Sequence, residues 1–337
     1  DGVEDMLTLA IETSCDDTSI AVVEKPNKVL SNVVQSQIDT HLKYGGVVPE
    51  IASRMHIDAI EICLKEALLR ADKTLEDIDL ISVTQGPGLI GSLLVGVSFA
   101  KALGVATGIP VVGVNHMKGH IASNYISNPD LKPPYIALVV SGGHTYIIDV
   151  VDYDEFHKIG ETKDDATGES FDKVARVMGI GYPGGAELEK LAKDGEDVLD
   201  FPRVYLSKDS FDFSFSGLKT AVINYINTEN MKGNPIKRED VARSFQEAVI
   251  DVIVDKVIRA AKMKNRKTIA ISGGVSNNKA IRDSIQKAGE EFQIKVLTPE
   301  AKYTGDNAAM IGVAGFIQYE KYGESPIDFV ADPNMGL

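Results

Sequence analysis

The sequence is poor in cysteine and has no long uninterrupted apolar run. Cys15 and Cys63 are its only two cysteines. They are far apart and in no metal-binding or redox spacing, which predicts a reducing, cytoplasmic environment without a disulfide framework. The most apolar stretch, Leu89 to Val114, is interrupted by five glycines, Lys101 and Pro110. The sequence therefore predicts no transmembrane helix.

The beginning of the chain lacks a basic segment followed by an apolar one, which is the pattern of a signal peptide. Its first residue is Asp1 rather than methionine, and Met6 is one candidate start. The chain has 337 residues, of which 44% are hydrophobic and 25% are charged. This length and composition exclude a disordered or fibrous protein and predict roughly two globular domains.

Basic residues are in the minority, since the formal net charge is −14 and the sequence pI is about 4.9. Lysine and arginine supply most of the affinity of proteins for nucleic-acid phosphates, so the chain alone is not expected to bind nucleic acid strongly. One region departs from this balance, because residues 256–302 hold eleven basic residues against four acidic ones. Two interpretations of this basic region stay open: a solvated helix face, or a strip that faces phosphate.

Two segments of the chain share a strand–turn–strand pattern. In the first, the apolar run Leu7 to Glu12 is followed by a polar loop and a second β-type run. In the second, Tyr135 to Val140 is followed by the tight loop Ser141 to Thr145 and another strand. Residues 164–255 are predicted to be largely helical. The pattern predicts two similar halves, each opening with a β-hairpin.

His116 and His120 are four residues apart at the start of a predicted helix, which places both imidazoles on one face and within reach of one metal ion. No glutamate follows the first histidine, so the pair is not the HExxH arrangement of metallopeptidases. Asp306 lies in a polar loop and is the candidate third ligand. Such a set is a plausible iron or zinc site, and the alternative is a chance pair of partly exposed histidines.

Glycine pairs follow two of the predicted strands, in Ser141-Gly142-Gly143 and Ser272-Gly273-Gly274. Glycines at such positions let backbone N–H groups approach a phosphate, although each pair alone is also typical of a simple turn. Tyr182 to Gly185 is a possible third point of close approach. Asp172 follows a cluster of acids at a predicted helix start, where helix capping and a bond to sugar hydroxyls are both open interpretations.

These segments occur in an order that resembles one family, the universal tRNA threonylcarbamoyltransferases, formerly described as O-sialoglycoprotein endopeptidases. The resemblance covers the chain from Leu7 to about Gly323, and its spacing is closer to bacterial than to archaeal members. It rests on the following motifs: His41 to His56, the pair His116 and His120, Val140 to Thr145, Gly168 to Lys173, Tyr182 to Gly185, Ser272 to Asn278 and Thr304 to Asn307.

The resemblance implies an α/β fold of the actin/Hsp70/sugar-kinase type, with two ribonuclease-H-like lobes around a central cleft. We expect residues 6–115 to form the first lobe, completed by a C-terminal helix at 308–325. Residues 116–307 would form the second lobe, with a helical insertion at about 160–255.

The resemblance also implies a reaction. The threonylcarbamoyl group of threonylcarbamoyl-adenylate passes to N6 of the adenosine 3′ of the anticodon, in tRNAs that read codons beginning with A, and AMP leaves. The implied partners are a separate adenylate-forming enzyme, a paralogous non-catalytic subunit and a small ATPase.

Residue by residue, the resemblance makes His116, His120 and Asp306 the ligands of one divalent metal ion per chain, iron(II) first and zinc second. The residues that it implies for binding the adenylate are Val139, Val140, Ser141, Gly142, Gly143, Asp172, Gly185, Glu189 and Asn278. Of these, Glu189 stands at a position that varies among branches of the family.

Glu12 and Asp16, at the first hairpin, are the candidate general bases for the transfer. Three other functions remain as alternatives: a small-molecule kinase of the same fold, a metallopeptidase, and a non-catalytic actin-like scaffold. An HxxxH pair is a poor Mg²⁺ site, which argues against the kinase.

Overall fold

The computed structural model describes residues 6–207 and 209–337, so the residues before the candidate start Met6 lie outside the described part. The chain divides into two compact units. One contains the residues up to Leu131 and from Pro299 onward, and the other is Lys132–Thr298. This division differs from the predicted boundary after residue 115. The helix that begins at His116 is grouped with the first unit because it packs on the C-terminal helix.

The strands of each unit form one sheet in the described part of the chain, and the two sheets have the same topology. Their strands are β1 (Leu7–Glu12), β2 (Asp17–Glu24), β3 (Lys28–Ser36), β4 (Leu80–Gly86) and β5 (Val111–Asn115), then β6 (Tyr135–Val140), β7 (Thr145–Asp152), β8 (Glu155–Glu161), β9 (Thr268–Ser272) and β10 (Lys295–Leu297).

The helices connect and cover these strands, and short 3₁₀ turns occur between them. The helices are α1 (Ile38–His41), α2 (Pro49–Ala71), α3 (Ile90–Thr107), α4 (His116–Ser127), α5 (Thr167–Val177), α6 (Gly184–Ala192), α7 (Ser216–Lys232), α8 (Arg238–Met263), α9 (Lys279–Glu291) and α10 (Ala308–Tyr322).

In the first unit the strand order is β3-β2-β1-β4-β5, and in the second it is β8-β7-β6-β9-β10. In each sheet three antiparallel strands come first. A fourth strand then pairs in parallel with the first one, and a fifth pairs in parallel with the fourth. Every residue of β1 and β6 is buried, as expected of strands covered on both faces. The predicted repeat of two hairpin-led halves is thus confirmed, although β3 and β8 were not predicted.

Helix α10 lies close against the sheet of the first unit at two buried glycines, Gly312 and Gly315. A Cβ atom at Gly315 would lie 2.0 Å from the Ser82 hydroxyl, and one at Gly312 would lie 2.9 Å from a Val23 methyl group. Glycine therefore permits a backbone approach that any larger residue would prevent. At the start of α10 the Ala308 N–H donates to the Ser19 hydroxyl at 2.8 Å, which holds the helix beside the loop that carries Asp306.

Helix α3 is long and apolar enough, by length and composition alone, to cross a membrane. One of its faces, with Leu93, Val97 and Ala100, is buried in the hydrophobic core of the first unit. A core helix passes the same test of length and composition, so the feature is weak evidence for a membrane span.

Candidate functional site

The two histidines are positioned by the junction between β5 and α4. Asn115 ends the strand, and its Oδ1 accepts hydrogen bonds from the N–H groups of Met117 (2.8 Å) and Lys118 (3.2 Å). This is an N-cap, which satisfies two otherwise unpaired donors at the helix start. Residues four apart lie on one helix face, and the rings of His116 and His120 are accordingly 4.6 Å apart.

Asp306 meets both histidines. Its Oδ1 lies 3.3 Å from Nε2 of His116 and 3.2 Å from Nε2 of His120. The next residue, Asn307, caps α10 by accepting a hydrogen bond from the Met310 N–H, which holds the preceding loop in place. Among the described residues, the fully buried ring of His120 finds no aligned hydrogen-bond partner at either nitrogen. Two imidazoles and one carboxylate, with an unsatisfied buried nitrogen, fit a transition-metal ion. The three residues form a group that could hold one.

Glu12 is the neighbour of this group. It is fully buried, and its Oε2 lies 3.0 Å from Nδ1 of His116. The same carboxylate accepts hydrogen bonds from the Ser14 N–H and the Thr84 hydroxyl, both at 2.5 Å. A carboxylate bound to the far nitrogen of a metal-ligating histidine is a common arrangement that fixes the tautomer and the ring orientation.

The protonation of these groups follows from their mutual contacts. Burial alone would lower the pKa of His116, but the carboxylates of Glu12 and Asp306 raise it to about 10. Burial alone would raise the pKa of Asp306 and of Glu12, but His116 lowers both, that of Asp306 well below its usual range. Burial lowers the pKa of His120. The carboxylates of Glu12 and Asp306 therefore lie on either side of the protonated His116 ring. Their excess negative charge favours the binding of a cation.

The other candidate base, Asp16, lies in the turn between β1 and β2. It is half-buried, and its backbone carbonyl accepts a hydrogen bond from the Gln37 N–H. Its neighbour Asp17 is more unusual, because burial raises the pKa of this carboxyl to about 7 and its Oδ1 has no hydrogen-bond partner in the described part of the chain. No feature of composition or spacing distinguishes Asp17 from Asp16 in the sequence.

The same turn is held by a histidine that sequence reasoning did not single out. Nε2 of His56 lies 2.8 Å from the Cys15 carbonyl oxygen, and its Nδ1 lies 2.7 Å from the Thr18 hydroxyl. Burial lowers the pKa of His56. A neutral ring that donates from Nε2 and accepts at Nδ1 satisfies both contacts. Its position at the end of the motif His41 to His56 was the available signal.

The second unit contains a pocket of about 260 Å³ beside the ends of β6 and β9. It brings together five of the nine residues expected to bind the adenylate: Gly142, Asp172, Gly185, Glu189 and Asn278. The other four do not line it. Val139 and Val140 are fully buried inside β6, Ser141 is bonded to His144 across the tight loop, and Gly143 is exposed.

Asp172 organises one wall of this pocket. Its Oδ1 accepts a hydrogen bond from the Gly185 N–H at 3.2 Å, at the first turn of α6. Burial raises the pKa of Asp172, although hydrogen bonds from the backbone N–H groups of Gly185 and Gly184 act to lower it. A Cβ at Gly184 would lie 2.5 Å from Cβ of Ala175, so the loop can approach α5 only because glycine stands there.

The opposite wall is the start of α9. Oδ1 of Asn278 accepts a hydrogen bond from the Ile281 N–H, and its Nδ2 donates to Gln246. Oε1 of Glu189 accepts a hydrogen bond from the Lys279 N–H at 2.9 Å. Gly273 has φ +90°, and a Cβ there would lie 2.2 Å from the Val140 carbonyl oxygen. The second glycine pair is thus required by the backbone itself.

A profile of the TsaD family, the tRNA N6-adenosine threonylcarbamoyltransferases, matches residues 28–313. The enzyme of that name from Clostridium novyi (strain NT) is 54% identical over 336 residues, which are 99% of this chain and 98% of the relative. The one from Clostridium botulinum (strain Hall) is 52% identical over 335 residues, with the same coverage.

Two solved structures show the fold. Full-length HypF in the phosphate- and nucleotide-bound form has a TM-score of 0.64 at 15% identity, and covers 96% of this chain but only 48% of its own. The activator of the 2-hydroxyisocaproyl-CoA dehydratase from Clostridium difficile with bound ADPNP has a TM-score of 0.53 at 13% identity, over 94% of this chain and 96% of its own.

The fold is therefore that of the actin-like ATPases, which confirms the predicted fold class. Among proteins with that fold, the chain belongs to the tRNA N6-adenosine threonylcarbamoyltransferase family. The predicted family, and with it the class of transferase, is confirmed.

Proposed function

We propose that this protein transfers the threonylcarbamoyl group of threonylcarbamoyl-adenylate to N6 of the adenosine 3′ of the anticodon, in tRNAs that read codons beginning with A. The observation that carries the proposal is the pocket of the second unit. Gly142, Asp172, Gly185, Glu189 and Asn278 are dispersed along the sequence and line one pocket. They are five of the nine residues that the family pattern assigns to the adenylate.

In the reaction, the N6 amine attacks the carbamoyl carbon, and the bond from that carbon to the phosphate oxygen breaks. AMP leaves with the bonding electron pair, and the amine loses a proton. Negative charge develops on the carbonyl oxygen and on the leaving phosphate. Backbone N–H groups of the glycine-rich loop at Gly142 are suited to stabilise such charge without a covalent intermediate.

His116, His120 and Asp306 are the proposed ligands of one divalent ion, with iron(II) as the first candidate and zinc as the second. Bound there, the ion would supply Lewis-acid polarisation of an oxygen. Glu12 has its carboxylate oxygens engaged by Ser14, Thr84 and His116. We therefore assign Glu12 to orienting His116, and Asp16 stays the candidate acceptor of the amine proton.

The charge of the chain supports a need for partners. With a formal net charge of −14, it has little positive surface for tRNA phosphates. We propose that a paralogous non-catalytic subunit and a small ATPase complete the tRNA-binding assembly in the cytoplasm. A separate enzyme would supply the adenylate.

Nucleoside analysis tests this function. Unmodified tRNA is incubated with threonine, bicarbonate, ATP, the adenylate-forming enzyme and the partner subunits, with and without this chain. We expect threonylcarbamoyladenosine only when the chain is present, and none with Asp306→Ala. A chain that binds its metal and AMP but yields no modified nucleoside would contradict the proposal. ATP-dependent phosphorylation of a sugar would instead favour a kinase of the same fold.

A further inference from the structure

We propose that the segment Ser325–Gly336, here called the strap, positions the metal-binding helix α4 through the side chain of Asn115. The inference rests on the proposed metal site at His116, His120 and Asp306. It concerns residues that no motif in the sequence singled out. The strap lies entirely within the first unit, where it follows α10.

The strap first covers the outer edge of β5, the last strand of its sheet. The Ser325 N–H donates to the Val111 carbonyl oxygen, and the Ser325 hydroxyl accepts from the Gly113 N–H, both at 2.9 Å. An exposed strand edge presents unpaired backbone groups, and these bonds satisfy two of them. The strap therefore begins with a fixed register against the strand that leads into α4.

It then crosses the end of β4. The Asp332 N–H donates to the Gln85 carbonyl oxygen, and Nε2 of Gln85 donates to the Val330 carbonyl oxygen, both at 2.9 Å. Ala331 is buried in the core of the unit, and the Lys101 ammonium donates to the Phe329 carbonyl oxygen. Backbone, side-chain and core contacts together hold the strap in one position.

The strap packs directly against Gly86, the last residue of β4. A Cβ atom at this position would lie 1.8 Å from the Asp332 carbonyl oxygen and 3.0 Å from Cβ of Met335. The backbone of Gly86 is outside the left-handed region, so alanine there is unfavourable because it collides with the strap and not because of left-handed strain. The strap fills a space that the absent side chain leaves open.

The strap ends at the cap of the metal-binding helix. Nδ2 of Asn115 donates to the Gly336 carbonyl oxygen at 2.8 Å, while its Oδ1 caps the first turn of α4. One amide thus joins the strap to the turn that carries His116. Ligand geometry is maintained when the supporting residues are themselves locked, so we assign Asn115 and Gly86 as positioning residues for the metal site.

The test measures Co²⁺ binding by the full-length chain, through calorimetry and the visible absorption of bound Co²⁺. Asn115→Ser keeps a good N-cap and removes the donor to the strap. We expect it to weaken Co²⁺ binding about fivefold, the effect of one hydrogen bond, and to alter the absorption spectrum. Gly86→Ala, which displaces the strap, should weaken binding by about tenfold or more.

The matched control is Ser325→Ala, which removes a hydrogen bond between the strap and β5 but leaves the Asn115 bond. Its Co²⁺ affinity and spectrum should equal those of the wild type. The double variant Gly86→Ala/Asn115→Ser should weaken binding by less than the two single effects combined, since both substitutions act on one contact.

Wild-type affinity and spectrum in a folded Asn115→Ser protein would overturn the proposal, as would an equal reduction of affinity in Ser325→Ala and Gly86→Ala. Absence of Co²⁺ binding by the wild type would instead overturn the proposed metal site.

Discussion

Oε2 of Glu12 lies 3.0 Å from Nδ1 of His116 in the first unit, where both side chains are buried. The contact ties the first strand of the chain to the start of a helix that is distant in sequence. It leaves the other ring nitrogen of His116 directed at Asp306. The electrostatics of the site depend on this pair, because each residue shifts the pKa of the other toward the charged form.

Glu12→Gln should weaken metal binding by about 10- to 100-fold, the usual effect of removing the carboxylate behind a metal-ligating histidine. Titration with Co²⁺ or Zn²⁺ measures the affinity. Glu61→Gln, which changes an exposed glutamate on α2, is the control and should bind like the wild type. Unchanged metal affinity in Glu12→Gln would show that Glu12 does not orient His116.

Alanine at His116, His120 or Asp306 should each remove bound metal and nearly all transfer activity, because three protein ligands leave no redundancy. Elemental analysis of the purified variants, beside the nucleoside assay, tests this. Asp200→Ala, which changes an exposed aspartate, should retain metal and activity. Full metal occupancy in Asp306→Ala would refute the three-ligand site.

Asp172→Ala should weaken AMP binding by about tenfold and leave metal affinity unchanged. The reason is that Asp172 holds the Gly185 N–H at one wall of the pocket, and charge-assisted hydrogen bonds are the stronger ones. Calorimetric titration with AMP gives the affinity. Asp172→Asn, which keeps an acceptor oxygen, should have a smaller effect, and the exposed Asp194→Ala should have none. Equal AMP affinity in Asp172→Ala and the wild type would show that Asp172 does not contribute to AMP binding.

Asp17 should make the metal-free protein less stable as the pH rises. Its pKa is about 7 in the folded state, against an ordinary value of 3.8, so the folded state binds the extra proton between these values. The contribution of Asp17 to the free energy of unfolding is therefore highest below pH 4. It falls as the pH approaches 7, by on the order of a few kcal/mol.

Urea unfolding of the wild type and of Asp17→Asn, from pH 5 to pH 8 with a chelator present, measures this effect. The variant should lose this component of the pH dependence and be the more stable protein at pH 8. If the free energy of unfolding had the same dependence on pH in both proteins, the raised pKa of Asp17 would be contradicted.

The basic region 256–302 is only partly available to phosphate. Lys256 is fully buried and donates to the Asp212 carbonyl oxygen, and Arg266 pairs with Asp149 through two nitrogen–oxygen contacts. Lys262 and Lys267 are not buried. Lys256 and Arg266 therefore fit neither a solvated helix face nor a strip that faces phosphate, and the second interpretation is tested at Lys262 and Lys267.

Lys262→Ala/Lys267→Ala should lower tRNA affinity, and the salt slope of log K should become shallower by about 0.7 to 0.9 for each phosphate that the variant no longer neutralises. Filter binding at several salt concentrations, with and without the paralogous subunit, measures both quantities. AMP binding should be unchanged, and Lys65→Ala, on the exposed face of α2, is the control. The isolated chain could instead bind tRNA tightly, with no loss of affinity in the double variant. That result would show that weak tRNA binding cannot be inferred from the net charge of this chain.

Local patterns allowed much of the fold to be predicted. The strands Leu7–Glu12 and Tyr135–Val140 were predicted to the residue, because a central strand is a short apolar run that ends at a polar turn. The placement of His116 and His120 on one helix face also followed from spacing alone. The edge strands β3 and β8 escaped prediction because they alternate weakly and are half exposed.

What only the tertiary structure decided are the contacts between segments distant in sequence. Composition does not distinguish Glu12 from Asp16, yet Glu12 is bonded to His116 and Asp16 lies half-buried in the turn between β1 and β2. Nor does any local signal show that Gly336 meets Asn115, or that Asp332 fills the space at Gly86. The sequence by itself determines the periodicity, the turns and the types of ligand. Which atoms come within hydrogen-bond distance depends on how sheet and helices pack, and no local pattern carries that information.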